Sequence, residues 1–235
     1  MNFAPAKTVS GEYVLNTSGR RDHIPPGTAF NYLLEVHNSK GQELRTVEKQ
    51  VIYMDNRFEW SQLSEGNVTV FYYGPVERRA QTMLDAALKT VTEMGKLLGV
   101  SEPEPIRIVA YNNSRHIAMA LPPRSAAINQ ELITEGMAFN DMQVVILMAF
   151  APSIEGTTSH EVVRMLVGDA SAKAYRSIPT WLNEGLAEYG NLDPTESYDQ
   201  ALYYAIFTRK LKRLWYLQEF SGNPDDIIIG YGQAR

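Results

Sequence analysis

The chain has 235 residues, 44% hydrophobic and 21% charged, with 27 acidic against 22 basic side chains for a formal net charge of -5. This is enough for one large or two smaller domains with a buried core, and the balance offers no electrostatic case for nucleic acid or an anionic membrane surface. The absence of cysteine excludes disulfides, a thiolate nucleophile and any Cys-ligated metal. Val144 to Ala151, the longest strongly apolar run, falls far short of the roughly 20 residues a membrane helix needs. The opening Met1-Asn2-Phe3-Ala4-Pro5 has no signal-peptide pattern, so the chain as given reads as soluble with no membrane-spanning segment.

Residues 1–65 read as a β-rich, sandwich-like segment shorter than a whole sandwich. Phe30, Tyr32, Leu34 and Val36 alternate along one strand face, Asn38-Ser39-Lys40-Gly41 marks a turn, and Val51-Ile52-Tyr53 supplies a partner. From 66 to 235 the texture is that of an α+β domain, a small sheet with clustered helices. Val68 to Tyr73 is rich in β-branched and aromatic residues and predicts a strand that Gly74-Pro75 ends. The stripe Ala80, Leu84, Ala87, Leu88, Val91, Met94 and Leu98 predicts a helix over Glu77–Leu98 that stops at Gly99. Strands follow over 105–111 and 142–150, then helices over 158–167, 179–189 and 197–212. The basic run Arg209-Lys210-Leu211-Lys212-Arg213 reads as a solvated helix end.

Chemistry concentrates in Ser159-His160-Glu161-Val162-Val163-Arg164 and in Pro179-Thr180-Trp181-Leu182-Asn183-Glu184-Gly185-Leu186-Ala187-Glu188-Tyr189. In a His-Glu-x-x-His metal site, two imidazoles at i and i+4 share one helix face and a cation, and the glutamate between them serves as general base. Here nineteen residues, 165–183, separate Arg164 from Glu184. Read singly, Thr158-Ser159-His160-Glu161 is also a helix capping box, and His160 an ordinary helix histidine. Trp181, Leu182, Leu186 and Tyr189 suggest that the second helix is largely buried. A carboxylate there wants a partner, and Arg164 is placed to pair with Glu184.

The string Trp-Leu-Asn-Glu-Gly-Leu-Ala-Glu-Tyr resembles the third-ligand helix of the peptidase MA-like, or gluzincin, zinc metallopeptidases, and the resemblance covers roughly Val68 to Arg235. It implies a zincin-like fold, zinc as cofactor, a peptide or protein substrate, and peptide-bond hydrolysis by metal-activated water. By resemblance His160 is the first metal ligand, Glu161 the general base and Glu184 the third ligand. Arg164 stands where the second histidine belongs, and a guanidinium has no lone pair for a metal. The resemblance therefore implies a metallopeptidase-like protein impaired by Arg164; the alternative is a non-catalytic pseudopeptidase acting as a binding or scaffold module. Tyr231 is a candidate transition-state hydrogen-bond donor. The segment ending in Tyr53-Met54-Asp55-Asn56-Arg57-Phe58-Glu59-Trp60 is similar to what precedes such domains in bacterial members. An extracytoplasmic location and further helix beyond residues 231–233 are also implied.

Weaker signals complete the reading. Gly136-Met137-Ala138-Phe139-Asn140 is similar to the Gly-x-Met-Glu-Asn string of gluzincin aminopeptidases, but Phe139 replaces the glutamate that anchors a free amine, so a strand beside the cleft is the better reading. His23, His37 and His116 have no ligand partner in register. Asn16, Asn67 and Asn112 head glycosylation triplets relevant only in a eukaryotic secretory setting.

Overall fold

The computed structural model describes residues 10–19, 23–38, 40–122, 135–194, 196–218 and 224–234. Four short strands come first: β1 Ala29–Tyr32, β2 Glu35–His37, β3 Glu43–Arg45 and β4 Lys49–Ile52. The single strand expected through Phe30 and Val36 is two strands with different partners, β1 pairing with β4 and β2 with β3, both antiparallel. The break has a local cause. Leu34 N–H donates to the Thr46 hydroxyl at 2.9 Å. The register sum falls from 81 for Tyr32 and Lys49 to 80 for Glu35 and Arg45, a one-residue bulge.

A five-stranded sheet forms the centre of the fold. Its strands are β5 Ser61–Glu65, β6 Val68–Tyr72, β7 Ile106–Tyr111, β8 Gly136–Phe139 and β9 Val144–Met148, in the order β5-β6-β7-β9-β8. The inner pairs β6–β7 and β7–β9 are parallel, while the two edge strands run antiparallel to their neighbours. Burial on both faces explains why 144–148 reads as a continuous apolar run, and why 106–111 does so apart from Arg107. The sheet begins at Ser61, so the last residues of the β-rich segment are paired into it.

Two layers cover the sheet. On one face lie α1 Glu77–Leu98 and a helix we label α3, Ile154–Ser171, around Val68, Val70, Ile106, Ile108, Val145 and Leu147. On the other lie α2 Ser114–Ala120 and the chain from residue 23 to 28, over Val109, Val144 and Ile146. Arg107 fastens that segment, donating from Nε to the Gly27 carbonyl at 2.7 Å and from Nη2 to the Met142 carbonyl at 2.8 Å. The remaining helices are α4 Thr180–Tyr189, α5 Glu196–Phe207 and α6 Pro224–Ala234. No helix among the described residues is long and apolar enough to cross a membrane. The result is the expected α+β architecture, a small sheet with clustered helices behind a β-rich N-terminal segment.

Candidate active site

The two helices that carry the motifs pack against each other, and α6 packs against the second of them. Helix α3 begins at Ile154, four residues earlier than the capping-box reading requires. Thr158 Oγ1 donates to the Ile154 carbonyl at 2.6 Å and Ser159 Oγ to the Glu155 carbonyl at 3.0 Å, so both hydroxyls are satisfied inside the helix and cap nothing. Glu161 is consequently a mid-helix carboxylate, 5% exposed, and its capping role falls away. Around it Val162, Val163, Met165 and Leu166 are fully buried, as suits a helix enclosed by sheet, α1 and α4.

Helix α4 is buried, as expected, but only part of the apolar set is enclosed: Leu186 packs on the core and Trp181 is half-buried. Leu182 and Tyr189 are exposed, whereas Asn183, Glu184, Gly185, Ala187 and Glu188 form the inner face. Glu184 and Glu188 are four apart and stack along that face toward His160. Gly185 allows α6 to close over the site: a Cβ there would lie 2.1 Å from the Ala234 carbonyl oxygen. Gly136 does the same for the edge strand β8, since a Cβ would come within 3.0 Å of the Glu161 side chain. Thus β8 lies beside the site, as the strand reading of 136–140 anticipated. Phe139 packs on the other face of the sheet, with its ring 5.8 Å from that of His23.

His160 stands between the two carboxylates of α4. Its Nδ1 donates to Glu188 Oε1 at 2.9 Å, and its Nε2 lies 3.2 Å from Glu184 Oε2. Burial pushes the imidazole pKa down, but the Glu184 and Glu188 carboxylates more than reverse this and raise it to about 10. Asn191 Nδ2 reaches both Glu188 oxygens at 3.4 Å. Glu188 thus orients His160 as carboxylates orient metal-binding imidazoles in general. In the sequence, the only signal for this role of Glu188 is its i+4 spacing from Glu184.

Arg164 follows His160 by one helical turn and points into the same group. Its Nη1 is 3.4 Å from Glu161 Oε2, and its Nε is 3.8 Å from Glu184 Oε1. The expected pairing with Glu184 is therefore long and shared with Glu161, with no bidentate fork. Burial disfavours the guanidinium charge, and the Glu161 and Glu184 carboxylates outweigh burial, so its pKa is raised. Burial also pushes Glu184 up, and His160 and Arg164 bring it below the ordinary carboxyl range. Tyr231, on α6, is hydrogen-bonded to Glu184 and stacks on Tyr198 with ring centroids 5.1 Å apart. Its phenol is raised by burial and by the neighbouring carboxylate.

These residues meet a metal halfway. Two donors on a tetrahedral ion with bonds of about 2.0–2.1 Å sit about 3.3 Å apart, close to the 3.2 Å between His160 Nε2 and Glu184 Oε2. Glu184 Oε2 is buried, and its contact with His160 Nε2 is an ion-pair approach without good hydrogen-bond geometry. The third donor is missing. Among the described residues, the His, Cys, Asp and Glu groups offering three ligand atoms within reach of one ion are limited to Glu35, His37 and Glu43 on the exposed β2–β3 hairpin. Nor do the other histidines help. His116 is engaged with the Tyr73 hydroxyl at 2.7 Å beside Phe58, and His23 with the Ala120 carbonyl at 3.0 Å. A complete three-residue zinc site is not what this donor set makes.

A five-stranded mixed sheet backed by a helix bearing His160-Glu161, with a second helix presenting Glu184 to it, defines a metallopeptidase-like domain. The family model of the peptidase MA superfamily matches residues 86–234, well over half of the chain, and the chain belongs to that superfamily. Membership suggests a metal cofactor in general. No curated protein matches the chain.

Proposed function

We propose that this protein is a zinc metallopeptidase-like hydrolase of peptide or protein substrates whose metal binding is impaired by Arg164. In this reading His160 and Glu184 are the two retained metal donors, Glu161 holds the general-base position, and Arg164 fills the place of the second imidazole. The observation that carries it is the seat of the guanidinium, 3.4 Å from Glu161 and 3.8 Å from Glu184. A guanidinium offers no lone pair, stays protonated, and sets a fixed positive charge where a cation would have to approach. The same contacts bear on catalysis. The guanidinium also engages Glu161 Oε2, an oxygen that a general base would have to turn toward water. The hydroxyl of Tyr231 is engaged with Glu184, which makes it a support for that carboxylate ahead of any role on substrate.

The test is a single exchange, Arg164→His, assayed for zinc content and for hydrolysis of an unstructured peptide. It restores imidazoles at i and i+4 beside Glu184 and is expected to gain zinc and, with it, activity dependent on Glu161. Hydrolysis by the unaltered chain at the rate of the variant would contradict the reading.

A further inference from the structure

The stretch from Phe207 to Tyr216 departs from its expected form. The helix predicted over 197–212 stops at Phe207, and Arg209 turns the chain with φ 55°. The basic run therefore lies in a loop, where the sequence had placed it at a helix end. The loop is tied at its start, middle and exit. Lys210 N–H donates to the Ala205 carbonyl at 2.8 Å, Gln233 brackets the Lys212 backbone at 2.9 and 2.7 Å, and the Leu217 and Gln218 carbonyls accept from Trp181 and Thr180 at the start of α4. Yet the large apolar side chains of this loop and of the end of α5 face outward: Phe207 is 86% exposed and Tyr216 69%, and Ile206, Leu211 and Trp215 are exposed as well. An apolar surface of this kind, held in place by backbone bonds, marks an interaction site.

Charge is segregated here too. Between Asp199 and Glu219 there is no acidic residue, while Arg209, Lys210, Lys212 and Arg213 lie within five positions, in a chain of net charge -5. The cations sit beside the rings: Arg213 lies 5.1 Å from the Trp215 ring centroid, and Lys210 Nζ 5.0 Å from that of Tyr204. Exposed Trp, Tyr and aliphatic side chains interleaved with Lys and Arg suit the boundary between anionic headgroups and acyl chains. A single-stranded nucleic acid also takes basic and aromatic residues, but it offers base faces for stacking and no apolar medium for Ile206, Phe207 and Leu211. We propose that residues 206–216 form a peripheral docking surface for a bilayer containing anionic lipid. This inference is independent of the metal chemistry above. The loop leads into contacts with the first turn of α4, the helix that bears Glu184, so docking would hold the cleft close to the membrane plane.

The experiment is co-sedimentation of the full chain with vesicles of phosphatidylglycerol and phosphatidylcholine, beside phosphatidylcholine alone. The expected result is binding to the mixed vesicles that weakens with added salt, and little to the neutral ones. Each basic residue near an anionic surface contributes about five-fold in partitioning. Arg209→Asn with Arg213→Gln should therefore lose about 25-fold, asparagine being tolerant of the positive φ at 209. Retained far-ultraviolet circular dichroism separates that loss from misfolding. As a second readout, brominated phosphatidylcholine should quench tryptophan emission in the unaltered chain, and Trp215→Tyr should remove most of the quenching. Equal binding to neutral vesicles, no binding at all, quenching unchanged by Trp215→Tyr, or tighter binding to polyglutamate or single-stranded DNA than to the mixed vesicles would overturn the proposal.

Discussion

Two clusters of charged groups, one on each face of the central sheet, are withdrawn from water and treated differently. On the face covered by α2 and the N-terminal segment, Asp55 is closed off by donors alone. Arg57 Nε reaches Oδ1 at 2.8 Å, Arg57 Nη2 pairs with Oδ2, and the Tyr111 hydroxyl donates to Oδ2 at 3.1 Å. Phe58, Trp60 and Tyr73 wall the cluster in, with Phe58 stacked on Tyr73 at 4.1 Å. On the other face three carboxylates, Glu161, Glu184 and Glu188, meet one imidazole and one guanidinium. That group leaves Glu184 Oε2 and Arg164 Nε buried with ion-pair contacts of 3.2 and 3.8 Å in place of well-formed hydrogen bonds. A structural ion cluster satisfies its members, whereas a chemical site keeps some of them poised. The contrast supports the α3–α4 group as the proposed functional site, with Arg164 as the residue proposed to shift it toward the other kind.

Removing the cation should show this most strongly. Arg164→Ala leaves Glu161 and Glu184 facing each other inside the protein. Loss of one partner from a buried ion group typically costs about 3–5 kcal/mol, and the side chain is 26% exposed, so about 3 kcal/mol is expected in urea unfolding of the metal-free chain. A loss below about 0.5 kcal/mol, the range of a surface change, would mean that the guanidinium holds nothing together.

The Asp55 cluster should respond less, and with a characteristic pH profile. Asp55→Asn is expected to cost about 1–2 kcal/mol at neutral pH, since it weakens charge-assisted bonds to a partly exposed arginine. Burial alone would raise the Asp55 carboxyl, but the bonds from Arg57 and Tyr111 bring it below its ordinary value of 3.8. A folded-state pKa below the unfolded one contributes stability that is present above the ordinary value and lost as pH falls through the lowered one. The gap in thermal midpoint between wild type and variant should therefore close in acid. A gap that persisted there would show that the substitution acts through packing alone. The smallest effect belongs to Tyr231→Phe, which deletes one hydroxyl bonded to Glu184 and should cost about 1 kcal/mol. A stability equal to wild type would remove Tyr231 from the network.

Much of this was legible in the residues. Val68–Tyr72, Glu77–Leu98 and Ile106–Tyr111 follow from local pattern, because β-branched runs and a seven-residue helical stripe decide those elements without tertiary help. Other features depend on what packs where. The alternation through Phe30 and Val36 hides a bulge set by Thr46. Helix α4 looked buried through Trp181 and Leu182, yet its enclosed face is the one with Asn183, Glu184 and Glu188, which apolar periodicity cannot reveal. Burial of Gly27 against Val109 and Val144 is a long-range packing event with no local signature. In the site, the motif residues could be named from their resemblance to a known family, but the sharing of Arg164 between Glu161 and Glu184 is a matter of side-chain geometry.

The account stands or falls on whether Arg164 is what keeps a metal out, and zinc content after exhaustive dialysis asks this directly. Both proteins should carry His37→Ala, so that the exposed Glu35–His37–Glu43 group adds no zinc of its own. Losing even a residue that merely orients a ligand costs about 10–100-fold in metal affinity, and a lost ligand replaced by a cation should cost more. The Arg164→His chain is therefore predicted to retain close to one zinc, and the chain with Arg164 a small fraction of that. Equal zinc in the two proteins would contradict the account.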